Sequence, residues 1–445
     1  MQEKLKQIIS DNALPLSGTD INYASLDTQF RKASVILLGE ATHGTDEFYR
    51  IRSQITKKLI TDYGFNAIAI EGDWPDVYQL NRYIQGVYPK NTANTTLANF
   101  KRFPIWMWRN KPMLELIRWL RNYNDELKPP NKKIGLYGLD LYSLHTSIEE
   151  IIKFLDKNDP QAAAKARERY KCLDTAIHDP EIYGYLSNIN LTVSCAEAVT
   201  EQLIELNQQD YSFIQKDQEV DEDEYFQLIQ NAYLVKSAES YYRNMFRAEV
   251  STWNLRDQHM FDTLQNIQNY LSKKHRKQAK IIVWAHNSHI GDAKATEMGE
   301  KGEFNIGQLV QEFYGKESFS LGFTTYSGTV MAASGWGQKG EIKHIEPALP
   351  ESYEHLFHSI GLGNFVLLLN RDEVISSALC TPHLERAIGV VYKPDTERIS
   401  HYFYSILPRQ FDAVCHVDIT AALEPILDKD IIEEEELPDT FPTGL

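Results

Sequence analysis

The chain has few of the features that mark disulfide-rich, metal-ribbon or membrane proteins. Its 445 residues include only four cysteines, Cys172, Cys195, Cys380 and Cys415. They form no CxxC pair, which excludes a zinc-ribbon or redox motif, so we expect buried packing cysteines in a reducing compartment. No run reaches the roughly 18 apolar residues of a membrane span, and the opening sequence, MQEKLKQIIS, has no continuous apolar core. We therefore expect a cytoplasmic protein with no membrane partner.

Positive charge is also scarce. The sequence has 46 lysines and arginines against 62 acidic residues, and its formal net charge at pH 7 is −16. Nucleic acids and anionic membranes both require a basic surface, so neither is expected as the main partner. The chain also lacks a GxSxG elbow and a glycine-rich phosphate loop, which argues against a serine hydrolase of the α/β-hydrolase type and against a nucleotide-binding protein. A small molecule remains as the expected partner.

What the sequence does contain is a series of short apolar runs that end in polar or glycine residues. Such runs are typical of buried parallel strands. They are Val35–Leu38, Ala67–Ile70, Lys133–Leu139, Ile281–Trp284, Ser318–Phe323, Phe365–Leu369 and Ile388–Tyr392. Between the first two, Asp46–Tyr63 carries apolar residues at helical spacing, which predicts the order strand, helix, strand. The sequence thus predicts an α/β fold with a mainly parallel sheet.

The middle of the chain has a different pattern. From residue 147 to residue 275 little resembles a strand, and apolar residues recur at the helical period. We expect a helical insertion that forms a lid over the carboxyl ends of the strands, where open α/β sheets bind their ligands. Residues 1–146 and 276–430 then form the catalytic core. Residues 431–445 form an acidic tail that is expected to be solvated.

The first strand delivers a histidine and a carboxylate into the loop before a helix. Glu40 and His43 are three residues apart, close enough for the carboxylate to fix the imidazole tautomer and raise its basicity, as a general base requires. Arg52 on the following helix could stabilise an oxyanion, although a structural ion pair is the more ordinary role of such an arginine.

Further polar residues follow other predicted strands. Glu71 is costly to bury without a partner, which favours a place in the pocket, whereas Asp73 could simply cap the next helix. Asp140 ends a third strand, and His286 and His289 follow a fourth. Three histidines with two glutamates could also bind zinc, manganese or iron, and spacing alone leaves that alternative open.

These motifs together resemble the erythromycin esterase family over nearly the whole chain. The similar segments are GEATHGTDEF at Gly39, IAIEGDW at Ile68, YGLD at Tyr137, NLRDQHM at Asn254, WAHNSHIGD at Trp284, NIGQL at Asn305, LGFTTYSG at Leu321, RAIGVVY at Arg386 and QFDAVCHVD at Gln410. They occur in the family order, so coincidence is improbable.

The resemblance implies a three-layer α/β/α core with a large helical insertion, and hydrolysis of a macrolide lactone without a metal or cofactor. His43 matches the general base and Glu40 its acidic companion. The other residues matched to catalytic positions are Arg52, Glu71, His286 and His289. Those expected to bind substrate are Asp73, Trp74, Asp140, Arg256 and Asp257, of which Trp74 could equally be a core residue.

One segment departs from the family's drug-resistance esterases. MGEKGEFNIGQL, from Met298, resembles the broader chromosomal members, so erythromycin itself is not the expected substrate. Two alternatives use the same residues: a metal-dependent hydrolase, and a haem- or small-ligand-binding protein of the same fold. The sequence leaves the ester and the oligomeric state open.

Overall fold

The computed structural model describes residues 2–16, 21, 23–88, 91–128, 132–176, 180–189, 191–192, 194–209, 222–247, 251–370 and 373–426. The predicted acidic tail at 431–445 lies outside the described residues.

One large sheet organises the described chain. The strands are β1 (Leu14–Pro15), β2 (Val35–Leu38), β3 (Ala67–Asp73), β4 (Gly135–Asp140), β5 (Ile281–Trp284), β6 (Ser318–Ala332), β7 (Glu341–Ile345), β8 (Phe365–Leu368), β9 (His383–Arg386), β10 (Tyr402–Ser405) and β11 (Ala413–Thr420). The order across the large sheet is β1-β8-β11-β6-β2-β5-β3-β4, with β7 paired to β6. All neighbours from β11 to β4 are parallel. Strands β1, β7 and β8 pair antiparallel, and β9 and β10 form a separate antiparallel pair.

Helices connect these strands. They are α1 (Gln2–Asn12), α2 (Asp27–Lys32), α3 (Asp46–Tyr63), α4 (Trp74–Ile84), α5 (Ala93–Leu97), α6 (Lys111–Glu126), α7 (Leu144–Asn158), α8 (Pro160–Tyr170), α9 (Pro180–Asn188), α10 (Ala196–Gln208), α11 (Glu222–Asn244), α12 (Thr252–His275), α13 (Asn287–Ile290), α14 (Glu297–Glu300), α15 (Ile306–Tyr314), α16 (Tyr353–His358), α17 (Glu373–Ala378), α18 (Glu397–Ser400) and α19 (Leu407–Gln410). The predicted helix Asp46–Tyr63 agrees with α3 at both ends.

The two faces of the sheet belong to separate hydrophobic cores, because successive residues of a strand point to opposite sides. Val35 and Leu37 of β2 pack in a core that includes Leu264 of α12. Ile36 and Leu38 pack on the other side, in a core that includes Ile55 of α3. The strands are buried on both faces, which explains their continuous apolar runs. The structure is therefore an α/β fold with helices on both sides of a mainly parallel sheet, as predicted.

Helices α7 to α12 lie between β4 and β5 in the chain. Several of them supply residues to the core on one face of the sheet, including Ile151 of α7, Val235 of α11 and Ile267 of α12. They thus form much of one helical layer. The division of the chain into a core and an insertion that acts as a lid stays a prediction.

One predicted strand is wrong. Ile388–Tyr392 makes only isolated bridges, in which Ile388 pairs with Thr42 and Val391 with Ala333. The Ile388 amide donates to the Ala41 carbonyl in the loop after β2. Ile388 and Tyr392 are buried and the residues between them are half-buried, so the run covers this loop and does not add a strand to the sheet.

The cysteines also differ from the prediction. Cys172 and Cys195 form a disulfide, with Cα atoms 5.9 Å apart. Cys172 lies in a 3-10 helix, Lys171–Ala176, and Cys195 stands directly before α10. Cys380 is exposed, so only Cys415 is a free cysteine in the buried packing role. The reducing compartment stays a prediction that the disulfide does not support.

None of the helices in the part of the chain that the structure describes combines the length and the apolar character needed to cross a bilayer.

Candidate active site

The carboxyl ends of β2, β3, β4 and β5 meet at one edge of the sheet and border a cleft of about 170 Å³. Gly39, directly after β2, makes this meeting possible, because a Cβ atom there would lie 2.2 Å from Oδ1 of Asn287. The Asn287 amide also donates to the Glu40 carbonyl, at 2.9 Å. The loops after β2 and β5 are thus tied together at the cleft.

His43 and Glu40 form the predicted pair. Nδ1 of His43 lies 2.9 Å from Oε1 of Glu40, which holds the proton on Nδ1 and leaves Nε2 unprotonated in the neutral ring. Nε2 has no hydrogen bond among the described residues, and His43 lines the cleft. The geometry is that of an oriented general base.

Arg52 contacts the other oxygen of Glu40 through Nη2. Its guanidinium lies 4.4 Å from the ring centre of Tyr49 and 4.6 Å from that of Trp284, and the side chain is fully buried. Arg52 does not line the cleft. The structure therefore places Arg52 behind Glu40, where it compensates the carboxylate charge. This position differs from the one in the cleft that stabilising an oxyanion would require.

The charge environment favours the protonated form of His43. Burial by itself lowers the pKa of His43, but the hydrogen bond to Glu40 and the negative charges of Glu71 and Glu40 outweigh it. The net pKa lies above its ordinary value. His43 is thus a stronger base than a free imidazole.

Glu71, at the end of β3, links the two histidine loops. Its Oε2 accepts the His286 amide at 2.9 Å, and its Oε1 lies 2.7 Å from Nη2 of Arg256. Burial raises the pKa of Glu71, but the charges of His289 and Arg256 outweigh it and hold the pKa well below its ordinary value. Glu71 is therefore an ionised, fully used acceptor.

Arg256, in the second turn of α12, lies at the centre of the polar cluster. It forms a fork with Asp140, from Nε to Oδ1 at 2.9 Å and from Nη2 to Oδ2 at 2.7 Å. Its Nη1 lies 2.9 Å from Nε2 of His289. Two carboxylates and one histidine thus surround the guanidinium. The Arg256 side chain is only 12 % exposed.

His289 is held in one orientation from both ring nitrogens. Nδ1 lies 2.9 and 3.0 Å from the two oxygens of Asp257. The Asp257 side chain also accepts the Ile306 amide, and Nε2 of His289 lies between Nη1 of Arg256 at 2.9 Å and Oε1 of Glu71 at 3.4 Å. The ring stacks on Trp253, with centroids 4.3 Å apart. Burial raises the pKa of Asp257, and the charge of His289 opposes that rise.

His286 has a different environment. Its Nδ1 accepts the Ser288 amide at 3.3 Å and lies 2.8 Å from the Ser288 hydroxyl. Nε2 therefore carries the proton of the neutral ring, and no residue that the structure describes accepts it within hydrogen-bond geometry. Burial and the neighbouring charge of His43 lower the pKa of His286 to about 3, against the opposing negative charge of Glu71. The two rings lie 4.8 Å apart. His286 is a neutral donor beside the base.

The two remaining predicted residues separate. Asp73 lines the cleft, and its Oδ2 accepts from Nε of Arg102 at 2.7 Å. Burial raises the pKa of Asp73, against the charge of Arg102. Trp74 lies outside the cleft, because its ring stacks on Tyr137 and its Nε1 donates to Gln227. Trp74 is therefore a core residue, which is the alternative that the sequence left open.

Several cleft residues have no counterpart in the sequence-based prediction of the site. They are Phe100, Arg102, Phe103, Tyr142, Ser288 and Trp336. Tyr142 could have been found, since it stands two residues after Asp140, and its ring lies 4.7 Å from the Arg102 guanidinium and 5.1 Å from that of Arg256. Ser288 lies between the two predicted histidines. The loop residues carried no signal, because nothing in their spacing connects them to a strand end.

The arrangement of the histidines and carboxylates bears on the alternative that they bind a metal ion. Within the described residues no group of three histidine, cysteine or acidic side chains is arranged to hold a metal ion. The Arg256 guanidinium occupies the space between Glu71 and Asp140, and both ring nitrogens of His289 are engaged. A cation there would have to displace the arginine.

Comparison with known proteins shows which family the chain resembles. The family model described as Erythromycin esterase matches residues 60–420. The chain is 23% identical over 348 residues to the Bacillus subtilis (strain 168) protein named "Putative hydrolase YbfO", covering 73% of each chain. It is 22% identical over 422 residues to erythromycin esterase type II of Escherichia coli, covering 89% of this chain and 95% of the other. A solved structure, that of a succinoglycan biosynthesis protein, superposes with a TM-score of 0.75 at 22% identity over 95% of this chain and 98% of that one, which shows a shared fold.

Proposed function

Because the chain belongs to the erythromycin esterase family, we propose that it cleaves an ester or macrolactone bond with a water molecule that His43 activates. The family and the names of its relatives indicate a hydrolase. The proposal that His43 is the base rests on its hydrogen bonding: Nδ1 is bonded to Glu40, so Nε2 is available to a ligand in the cleft.

In this proposal Nε2 of His43 accepts a proton from water as the water oxygen attacks the carbonyl carbon. Glu40 stabilises the imidazolium that forms, and Arg52 compensates the charge of Glu40 from behind. Positioned general-base catalysis contributes roughly a hundred- to ten-thousandfold. His43 then returns the proton to the leaving alkoxide, which completes the hydrolysis to acid and alcohol.

The negative charge that develops on the carbonyl oxygen needs donors in the cleft. Arg256 and the Nε2–H of His286 are suited to this role, because both residues line the cleft and His286 lacks an acceptor for that proton within the described ranges. Removing one donor of an oxyanion typically costs about 3–4 kcal/mol of barrier. The sequence-based hypothesis gave this role to Arg52 and a histidine of the second pair, so the proposal keeps a histidine and replaces Arg52 by Arg256.

The size of the cleft bears on the substrate. Its volume of about 170 Å³ is small beside the roughly 300–1,000 Å³ of pockets that enclose drug-sized ligands. A macrolide would need the cleft to widen, whereas a small ester or lactone fits it as it stands. We therefore propose that simple lactones and esters are cleaved at least as readily as macrolides.

Mass spectrometry of the purified protein with a panel of macrolides, simple lactones and esters tests this function. We expect products heavier than the lactone by one water, formed equally with and without a chelator. His43→Ala should lose most turnover, by at least a hundredfold, and keep its circular dichroism spectrum.

The matched control is His344→Ala, since His344 is an exposed histidine remote from the cleft lining. Its turnover should equal that of the parent protein. Near-normal hydrolysis by His43→Ala would contradict the assignment of the base. Loss of turnover with the chelator would favour the metal-dependent alternative.

A further inference from the structure

A second cavity lies between α4, α7 and α11, on the far side of Trp74 from the cleft. Its volume is about 210 Å³, and it shares no lining residue with the cleft. Gln227 and Asn231 stand one turn apart on α11 and both line it. They are 7 % and 1 % exposed. The catalytic proposal makes no use of this cavity.

Two buried amide atoms of this cavity lack partners. Oε1 of Gln227 accepts from the Trp74 indole, which can only donate, so Nε2 of Gln227 is a true amide donor. Nδ2 of Asn231 donates to the Gln227 carbonyl, which can only accept, so Oδ1 of Asn231 is a true acceptor. Neither Nε2 nor Oδ1 has a hydrogen-bond partner in the described chain. Buried polar atoms of this kind normally have one.

The rim of the cavity is basic although the chain is acidic. Arg82 and Lys153 line it, and they pair with Glu224 at 3.5 Å and Glu150 at 3.3 Å. Lys157 also lines it and has no ion pair among the residues described. Among the lining residues that the structure describes, three are basic and two acidic, which leaves an excess of one positive charge at the rim.

Part of the wall is aromatic. Tyr78, Tyr88 and Phe154 line the cavity beside the amides, whereas most of the other lining residues are polar or charged. Rings beside convergent polar groups are typical of a small-molecule site. A water cluster alone would not require the aromatic rings.

We propose that this second cavity binds a monosaccharide-sized carbohydrate that carries an anionic group. Adjacent hydroxyls both donate and accept, and so match an amide donor and an amide acceptor one turn apart. A sugar face packs on aromatic rings, and a carboxylate or phosphate pairs with Lys157. The volume suits a single sugar and is too small for a disaccharide or a drug-sized ligand.

Isothermal titration calorimetry of the full chain tests the proposal with four probes: D-glucose 6-phosphate, D-glucuronate, D-glucose and inorganic phosphate. We expect at least one of the two anionic sugars to bind about tenfold more tightly than both glucose and phosphate. Asn231→Leu and Lys157→Glu should each weaken that binding by about fivefold or more.

Two controls locate the site. Lys316→Glu makes the same charge change at an exposed lysine that does not line the cavity, and should leave binding unchanged. His43→Ala alters the cleft and should also leave it unchanged. Should Asn231→Leu fail to fold, Lys157→Glu, at an exposed position, still decides the test.

Three outcomes would overturn the proposal. If none of the probes binds at millimolar concentrations, the cavity holds only water. Phosphate binding as tightly as the anionic sugars would make it a simple anion site. Binding that His43→Ala abolishes would belong to the cleft.

Discussion

Arg52 and Glu40 illustrate how a buried ion pair prepares a base without touching the substrate. Both side chains are fully buried, and Arg52 lies between two aromatic rings. Removing one partner of such a pair leaves an uncompensated charge and typically costs about 3–5 kcal/mol. Arg52 therefore acts through Glu40, and its substitution should lower stability as well as activity.

The same pair permits a test of pH dependence through Glu40→Gln. A base works in its neutral form, so activity rises with pH through the pKa of His43. The hydrogen bond and charge of Glu40 raise that pKa, while burial lowers it. Glu40→Gln removes the raising contributions, so the acidic limb of the pH–rate profile should move to lower pH. Turnover should fall by about tenfold or more.

Steady-state kinetics of the best substrate over a pH series gives this measurement. Glu115→Gln is the control, since Glu115 is a half-exposed glutamate on α6 outside the cleft. Its profile should match that of the parent. A limb that stays in place in Glu40→Gln would mean that another group sets it.

At this scale the sequence predicted which residues meet but not how each one faces. Glu40, His43 and both later histidines follow strand ends and Glu71 lies near the end of β3, and the strand ends of a parallel sheet converge. The orientation of Arg52 and Trp74 depends on which side of α3 and α4 packs against the sheet. That packing involves residues distant in the chain, so no local pattern reveals it.

Helix α12 shows the same limit for an element. Only the resemblance to the family pointed to Arg256 and Asp257, because charged residues of a long helix usually face solvent. Both lie in the second turn, near the end of the helix that stands over the sheet edge, and there they meet Asp140 and His289. A helical periodicity shows a buried stripe, but it does not show where the end of the helix rests.

The link between Cys172 and Cys195 is an element-scale prediction. It joins a 3-10 helix to the start of α10 across 23 residues, and closing a loop of that length in the unfolded chain is worth about 3 kcal/mol. Protein purified without reductant and denatured should show two alkylatable thiols, and four after reduction.

Cys195→Ser should lose about 3 kcal/mol in urea unfolding without reductant, whereas Cys380→Ser, at an exposed free cysteine, should lose almost nothing. Four alkylatable thiols before reduction would contradict the disulfide. That result would support the reducing compartment that is expected from the sequence.

For the whole molecule, buried histidines should make stability fall in acid. Burial lowers the pKa of His259 to about 4 and that of His401 to about 4, and burial with the charge of His43 lowers that of His286 to about 3. The unfolded chain takes up these protons near pH 6.5, before the folded chain does. The contribution of these three histidines to the free energy of unfolding should therefore decrease as the pH falls from about 6.5 towards 4, whereas Glu385, whose pKa burial raises to about 8, contributes in the opposite direction.

His259→Phe isolates one of these contributions. Phenylalanine preserves the stack on Tyr233 and cannot titrate. Relative to the parent, the variant should lose about 2–3 kcal/mol less between pH 7 and pH 4.5 in urea unfolding. His344→Phe, at an exposed histidine, should leave the pH profile unchanged. Parallel curves for His259→Phe and the parent would contradict the buried, neutral state.

The α/β class and the parallel sheet were predictable because strands buried on both faces read as continuous apolar runs. The run Ile388–Tyr392 was wrongly predicted to be a strand for the same reason, since a segment that covers the cleft can be as apolar as a buried strand. Strand β9 carries polar residues such as Glu385 and Arg386 in a buried network, so it offered no apolar run to detect. Strand β10 is a short aromatic run that the sequence analysis did not identify as a strand.

The position of β2 between β5 and β6 also governs when the site can exist during synthesis. β2 ends at Leu38, whereas β5 begins at Ile281 and β6 at Ser318. At about 5–20 residues per second, a ribosome takes on the order of ten seconds to a minute to make the chain between β2 and its neighbours. Throughout that interval His43 has emerged without the strands that hold its loop. The nascent chain thus carries its base long before it has an active site, and its central strand is left for chaperones to shield.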